Sequence, residues 1–171
     1  MSNSPIYFTD NFFSVGLTTI YNENEEQIGS LDLKSILTSS VDILDKGGKL
    51  VIKGYFPFFS RRWRITDAND KEIGTLKQRF SFLSKKYEYE TQGRAVYQVE
   101  SEIFSKEYKI INEHGTLVAD FKRISGFFAS PAFRLTNQSD KLKNEELIAV
   151  VMGVSMITKR NNASSNSANS H

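Results

Sequence analysis

The chain has 171 residues, of which 39% are hydrophobic and 25% are charged, and its net charge at pH 7 is +2. These values favour a single globular domain with a substantial core, and so small a charge does not by itself indicate a nucleic-acid partner. The chain contains no cysteine, which excludes disulfides, thiol catalysis and cysteine metal sites.

An internal repeat organises most of the chain. Its three copies are marked by Ile20, Ile65 and Ile110, which are spaced 45 residues apart. The matching positions that follow are Asn22, Asp67 and Asn112, then Ile28, Ile73 and Val118, and then Gly29, Gly74 and Ala119. The flanks agree as well, since residues 59–65 resemble residues 104–110. Each copy predicts strand, polar turn and strand, followed by a second strand pair, so nearly three copies predict eleven or twelve strands.

An aromatic and basic stretch, residues 55–64, links the first copy to the second. Five aromatic residues run into three arginines, a mixture that is typical of segments binding anionic membrane surfaces or stacking on nucleic-acid bases. The favoured alternative is structural: half of the rings face the core and the arginines form a solvated wall. Alternation along the strand places Arg62 and Arg64 outward, opposite Trp63, and Lys77 and Arg79 join them from the next strand. These four residues form the predicted lipid- or ligand-binding set.

Other aromatic pairs are expected in the core. Phe80 and Phe82 alternate near the end of a predicted strand, and Phe127 and Phe128 are adjacent in another. Aromatic residues on strands mostly pack against a core, and we expect the same here.

The segment from Asn144 to Arg160 predicts one helix that is apolar on every face. Leu147 to Ile157 contains no charge, and this run is shorter than the roughly 18 to 20 residues that cross a bilayer. Asn144 suits an N-cap, with acidic residues following it and Lys159 and Arg160 near the end. The predicted core residues of the helix are Leu147, Ile148, Val150, Val151, Val154 and Ile157.

These elements predict a mainly β fold with one helix: a closed barrel of about twelve strands around a central, buried C-terminal helix. A dozen strands leave a bore that the side chains of the wall do not fill by themselves, and the apolar helix is suited to fill it. Residues 1–160 are expected to form one domain. The polar, low-complexity tail 161–171 is expected to be disordered.

This arrangement resembles the tubby C-terminal-like superfamily, which includes tubby domains, LURP-one-related proteins and phospholipid scramblases. The resemblance runs from Phe12 to Arg160 and rests on the duplicated strand units ending in FRLTNQSDKLKNEELIAVVMGVSMI. The chain resembles the small members of bacterial type. This resemblance implies a twelve-stranded barrel around a central helix. Tubby domains bind phosphoinositide headgroups through basic side chains on the barrel. Scramblases carry an acidic calcium-binding segment before the helix, where residues 137–141 of this chain hold one carboxylate, Asp140.

An enzyme is not expected. The histidines are His114, in a predicted turn, and His171, and the sequence shows no phosphate-binding loop, nucleophile elbow or metal-ligand spacing. No cofactor or metal is therefore expected. The preferred function is a binding barrel that recognises anionic lipid headgroups or the membrane surface. The alternatives are a protein-interaction or scaffold module without a small ligand, and scramblase-like lipid handling. No nucleic-acid partner is expected.

A cytoplasmic location, either free or peripheral to the membrane, is expected. The sequence does not open with a basic segment followed by an apolar one, so a signal peptide is not predicted.

Overall fold

In the described residues, a closed antiparallel barrel, one α-helix and a short 3-10 helix (Asp10–Phe13) make up the fold. The computed structural model describes residues 4–35, 39–82, 84–101 and 105–169. In these residues the strands are β1 (Ile6–Thr9), β2 (Gly16–Tyr21), β3 (Gln27–Leu33), β4 (Ser40–Asp45), β5 (Leu50–Tyr55), β6 (Trp63–Asp67), β7 (Glu72–Arg79), β8 (Lys85–Thr91), β9 (Val96–Ser101), β10 (Tyr108–Ile111), β11 (Leu117–Phe127) and β12 (Ser130–Asn137). Consecutive strands pair with each other, and β1 closes the barrel between β2 and β12. The helix α1 runs from Asn144 to Ala168. The closed barrel of twelve strands with one C-terminal helix confirms the predicted fold class.

The 45-residue repeat corresponds to one register that is used three times. The equivalent cross-strand pairs are Ile20 with Gly29, Ile65 with Gly74, and Ile110 with Ala119. The ladder shifts directly after each isoleucine. The side-chain oxygens of Asn22, Asp67 and Asn112 then accept hydrogen bonds from backbone N–H groups two and four residues later. A short Asn or Asp side chain is what such a turn requires. Phe104, which the sequence aligns with Phe59, lies outside the described residues.

The two ends of the barrel differ in composition. Charged and small polar residues dominate the hairpin turns at one end, which we call the polar end; these turns are residues 22–26, 46–49, 68–71, 92–95 and 112–116. We call the opposite end the aromatic end. It is formed by the β5–β6 connection (residues 56–62), by the described residues of the β1–β2 (10–15), β3–β4 (34, 35 and 39), β7–β8 (80–82 and 84), β9–β10 (105–107) and β11–β12 (128–129) connections, and by the part of α1 that leaves the barrel.

The helix and a phenylalanine cluster share the interior. Leu147, Ile148, Val150, Val151, Val154 and Ile157 are each between 0% and 3% exposed. The helix packs mainly against β4 to β7. On the other side, the rings of Phe8, Phe12, Phe121 and Phe133 pack together, with centroid separations from 4.8 to 6.1 Å. One helix therefore suffices to fill the barrel because these rings occupy the remaining space.

The helix differs from its prediction at both ends. Lys143 is the N-cap, and its carbonyl oxygen accepts the first helical hydrogen bond, from Leu147, while the Asn144 side chain accepts from Asn137. The helix ends at Ala168 rather than Arg160, so residues 161–168, expected to be disordered, are helical. Extending a formed helix costs little, and serine hydroxyls in this part bond to carbonyls one turn back. His171 lies outside the described residues.

Candidate functional site

Four phenylalanine rings project from the aromatic end into solvent. Phe58, Phe59, Phe80 and Phe82 are exposed by 89%, 91%, 87% and 89%. They form two pairs, with ring centroids 4.1 Å apart for Phe58 and Phe59 and 4.9 Å apart for Phe80 and Phe82. The prediction that Phe80 and Phe82 pack in the core is wrong. Because β7 ends at Arg79, the alternation of the strand no longer directs these two side chains.

A tight turn presents the first ring pair. The backbone N–H of Ser60 donates to the carbonyl oxygen of Pro57 at 2.9 Å, which leaves Phe58 and Phe59 at the two central positions. Phe59 has a φ of +59°, in the left-handed region that disfavours an L side chain. Phe56, by contrast, packs on the buried Trp63 with ring centroids 5.1 Å apart. The turn thus separates one ring that supports the fold from two that face solvent.

Cations without acidic partners surround the rings. Arg61 and Arg62 follow the turn, Lys85 begins β8, and Lys159 and Arg160 lie where α1 leaves the barrel. None of these five takes part in an ion pair within the described residues. Burial, and then the charge of Lys106, lower the pKa of Lys159. Asp10 and Glu107 are the carboxylates in the described connections of this end, so its potential is positive overall.

Three of the four predicted site residues lie elsewhere, on the outer wall. Their ion pairs are Arg64 Nε to Glu72 at 2.8 Å, Lys77 Nζ to Glu88 at 2.8 Å and to Glu90 at 4.0 Å, and Arg79 Nη1 to Glu88 at 3.5 Å. The hydrogen bond from Lys77 lowers the pKa of Glu88. Arg62 is the member of the set that the structure places at the aromatic end. These three wall cations are therefore compensated in charge, and the cations of the aromatic end are not.

Phe127 and Phe128 also lie outside the core in which we expected them. Phe127 stacks on Tyr7 with centroids 3.9 Å apart, and Phe128 meets the edge of Tyr21 at 4.5 Å. Both tyrosines face outward from strands β1 and β2, so the tip of the β11–β12 hairpin covers the outer wall. These rings are half-buried and stabilise the barrel surface.

A buried ionic network at the polar end was missed by the sequence analysis. The Glu146 carboxylate is 2% exposed and accepts from Arg94 Nη2 at 2.6 Å and from the Tyr89 hydroxyl at 2.5 Å. Arg94 also donates to the carbonyl oxygens of Ile73 and Lys141. The hydrogen bond to Glu146 raises the pKa of Arg94. The network fixes the first turn of α1 to the barrel wall, so its role is structural. The sequence feature that could have predicted this network is the position of Glu146, directly before the uncharged run of the helix.

Two further properties bear on the kind of site. In the part of the chain that the structure describes, no helix has both the length and the apolar content to cross a membrane. Nor do three or more acidic or histidine side chains of that part gather where they would hold a metal ion.

Twelve antiparallel strands closed around a C-terminal helix define a tubby-like barrel. A family model described as LURP-one-related matches residues 7–157, and the chain belongs to this family, which confirms the resemblance. The fold is similar to the X-ray structure of an Arabidopsis thaliana protein, with a TM-score of 0.57 and 15% identity. That match covers 94% of this chain and 93% of the plant chain, and at this identity it shows a common fold. None of the curated protein sequences matches the chain significantly.

Proposed function

We propose that the protein is a non-enzymatic binding module whose aromatic end docks on an anionic membrane surface. The exposure of Phe58, Phe59, Phe80 and Phe82 is the observation that supports this most strongly. Clustered apolar surface of this kind marks an interaction site. Moving one such ring from water into an apolar phase contributes about 1.5–3 kcal/mol, so four rings supply enough free energy for reversible docking.

The charge around the rings favours a membrane as the partner. Arg61 and Arg62 adjoin the first ring pair, and Lys85 follows the second. A cation near an anionic bilayer contributes on the order of 1 kcal/mol, within a Debye length of about 8 Å at physiological salt. Rings that enter the interface while cations stay at headgroup level are the combination found in proteins that lie on membranes.

The remaining surface gives less support to the alternatives. In the described residues each strand has a neighbour on both sides, so a partner has no free edge to extend by strand addition. A protein partner would have to bind the same rings, and this possibility is an outcome of the test below. We do not propose scramblase-like lipid handling, because α1 and the phenylalanine cluster fill the interior of the barrel.

Vesicle cosedimentation tests the proposal. Phosphatidylcholine vesicles with and without phosphatidylserine are compared at low and high salt. We expect the wild-type protein to sediment with the anionic vesicles and to be released by salt. The variant Phe58→Ser/Phe59→Ser/Phe80→Ser/Phe82→Ser should remain in the supernatant.

The matched control removes exposed apolar side chains from the polar end. Ile28 and Val96 are each 40% exposed there, and Ile28→Ser/Val96→Ser should bind vesicles like the wild type. If the wild type does not sediment with anionic vesicles at low salt, the membrane proposal fails. A protein-interaction module is then the function to pursue.

A further inference from the structure

A groove of about 400 Å³ lies between the exposed part of α1 and the β5–β6 connection. The residues that matter for its chemistry are Phe56, Arg61, Ile157, Arg160, Asn161 and Ser164. The helical members are spaced three, four and seven residues from Ile157, so they share one face of α1. The groove exists because the helix continues beyond the barrel instead of ending at Arg160.

Arg160 is held in place on one side of the groove. Its Nη1 donates to the carbonyl oxygen of Ser60 at 2.8 Å, and its guanidinium carbon lies 4.4 Å from the centre of the Phe56 ring. These contacts engage one nitrogen and one face of the guanidinium. Within the described residues its Nε and Nη2 donors have no hydrogen-bond partner, so they remain for a ligand.

Arg61 supplies a second guanidinium, and neither charge is compensated. No carboxylate of the described residues lines the groove, and neither arginine takes part in an ion pair there. Arg64, three residues further along the chain, is paired with Glu72. Two guanidinium groups without an acid are suited to a multivalent oxyanion, because the planar fork of donors matches the oxygens of phosphate.

We propose that this groove binds the phosphate group of a small phosphate ester, with Arg61 and Arg160 as its ligands. Asn161 and Ser164 form its polar rim, while Ile157 and Phe56 offer apolar contact to the carbon part of the ester. The phosphate belongs either to a lipid headgroup or to a soluble compound. The lipid form rests on the proposed function, because insertion of the neighbouring rings would bring the groove to the level of the headgroups.

The soluble form is tested by titrating the whole chain with glycerol 3-phosphate at low salt while recording backbone amide signals by NMR. We expect saturable shifts at Arg61, Asn161 and Ser164. Arg61→Gln should weaken binding about five- to tenfold, as loss of one cation–phosphate contact implies. Arg62→Gln removes the same charge from the adjacent position, which does not line the groove; whatever its effect on vesicle binding, it should change the affinity for glycerol 3-phosphate less than about twofold. Arg160→Gln should also weaken binding, with its melting temperature recorded because Arg160 contacts Phe56.

Two results would overturn the groove assignment: no saturable shift, or equal weakening by Arg61→Gln and Arg62→Gln, which indicates a diffuse charge effect. Vesicles containing phosphatidic acid or phosphatidylserine identify the source of the phosphate. If glycerol 3-phosphate binds and neither vesicle does, the groove takes a soluble ester and the membrane proposal fails. If vesicles bind and glycerol 3-phosphate does not, the membrane proposal stands and the groove is not a phosphate site.

Discussion

The indole Nε1 of Trp63, on β6, donates a hydrogen bond of 3.1 Å to the backbone carbonyl oxygen of Ala149, in the buried part of α1. The fully buried indole lies against Gly54 on β5 and Gly153 on α1. A Cβ atom added at Gly54 would lie 2.7 Å from the indole, and one at Gly153 would lie 2.5 Å from it. One side chain therefore sets both the depth and the rotation of the helix inside the barrel.

Gly153→Ala should destabilise the protein. In an exposed helix this change stabilises by about 1 kcal/mol, because alanine is the better helix former. Here the added methyl group overlaps the indole, and the overpacking should cost on the order of 1–3 kcal/mol, measured by urea unfolding. Asn162→Ala, in the exposed part of the same helix, is the control and should not lower stability. A Gly153→Ala variant more stable than the wild type would contradict the packing described for Trp63.

Val151→Asp should prevent folding or cause aggregation. Val151 is 0% exposed, and an unpaired carboxylate in an apolar interior costs several kcal/mol. Circular dichroism and the melting temperature measure the effect, and Asn162→Asp on the exposed part of α1 provides the comparison. A soluble Val151→Asp protein with an unchanged melting temperature would show that the helix does not form the core.

Stability should fall at alkaline pH, and Tyr89 should contribute to the fall. Burial, followed by the Glu146 carboxylate, raises the pKa of Tyr89 above its ordinary value of 10.0. The unfolded chain then loses the phenolic proton at lower pH than the folded one. The stability from the protonated Tyr89 is thus fully present below about pH 10 and is lost as the pH rises further.

We therefore expect the melting temperature to decline above about pH 10, and to decline less steeply in Tyr89→Phe. Some slope should remain, because burial also raises the pKa of Tyr87 and of Tyr108. At neutral pH the variant loses one hydrogen bond to the Glu146 carboxylate, at a cost of about 1.5–3 kcal/mol. An unchanged alkaline slope in Tyr89→Phe would show that this phenol ionises normally in the folded protein.

The positive charges of the end and of the wall should differ in their effect on vesicle binding. Arg61→Gln/Arg62→Gln should weaken binding to phosphatidylserine vesicles by about five- to tenfold for each charge removed. Arg64→Gln/Glu72→Gln removes a compensated pair and should change binding less than about twofold. A stronger effect from Arg64→Gln/Glu72→Gln would show that vesicles bind the outer wall, as the strand pattern predicted, and not the aromatic end.

Sequence periodicity predicted the repeated register because local chemistry sets it. Each copy needs a small residue opposite an isoleucine and an Asn or Asp that closes the next turn, and both requirements are visible in the sequence. The direction of Phe58, Phe59, Phe80 and Phe82 was not predictable in this way. These residues follow the last ladder pair of their strands, and beyond that point alternation no longer fixes a side chain to a face.

The full length of the helix was not predicted, for a different reason. Residues 161–168 bury no apolar surface, and burial is what the sequence pattern detects. Backbone hydrogen bonds and serine side chains extend the helix without it. The groove beside Arg61 and Arg160 depends on this extension, so it could not be predicted from the sequence either.

The ion pairs on the outer wall were not predicted because the site residues were chosen as cations alone. Their acidic partners on the neighbouring strands, Glu72 and Glu88, were left out.

Depth-dependent fluorescence quenching tests membrane docking by the aromatic end most directly. Phe80→Trp places an indole at the aromatic end, and Val96→Trp places one at the polar end. The native Trp63 is 0% exposed and contributes the same background to both variants. With anionic vesicles that contain brominated lipid, we predict strong quenching and a blue shift for Phe80→Trp and neither for Val96→Trp. Equal quenching of the two variants, or none in either, would contradict docking through the aromatic end.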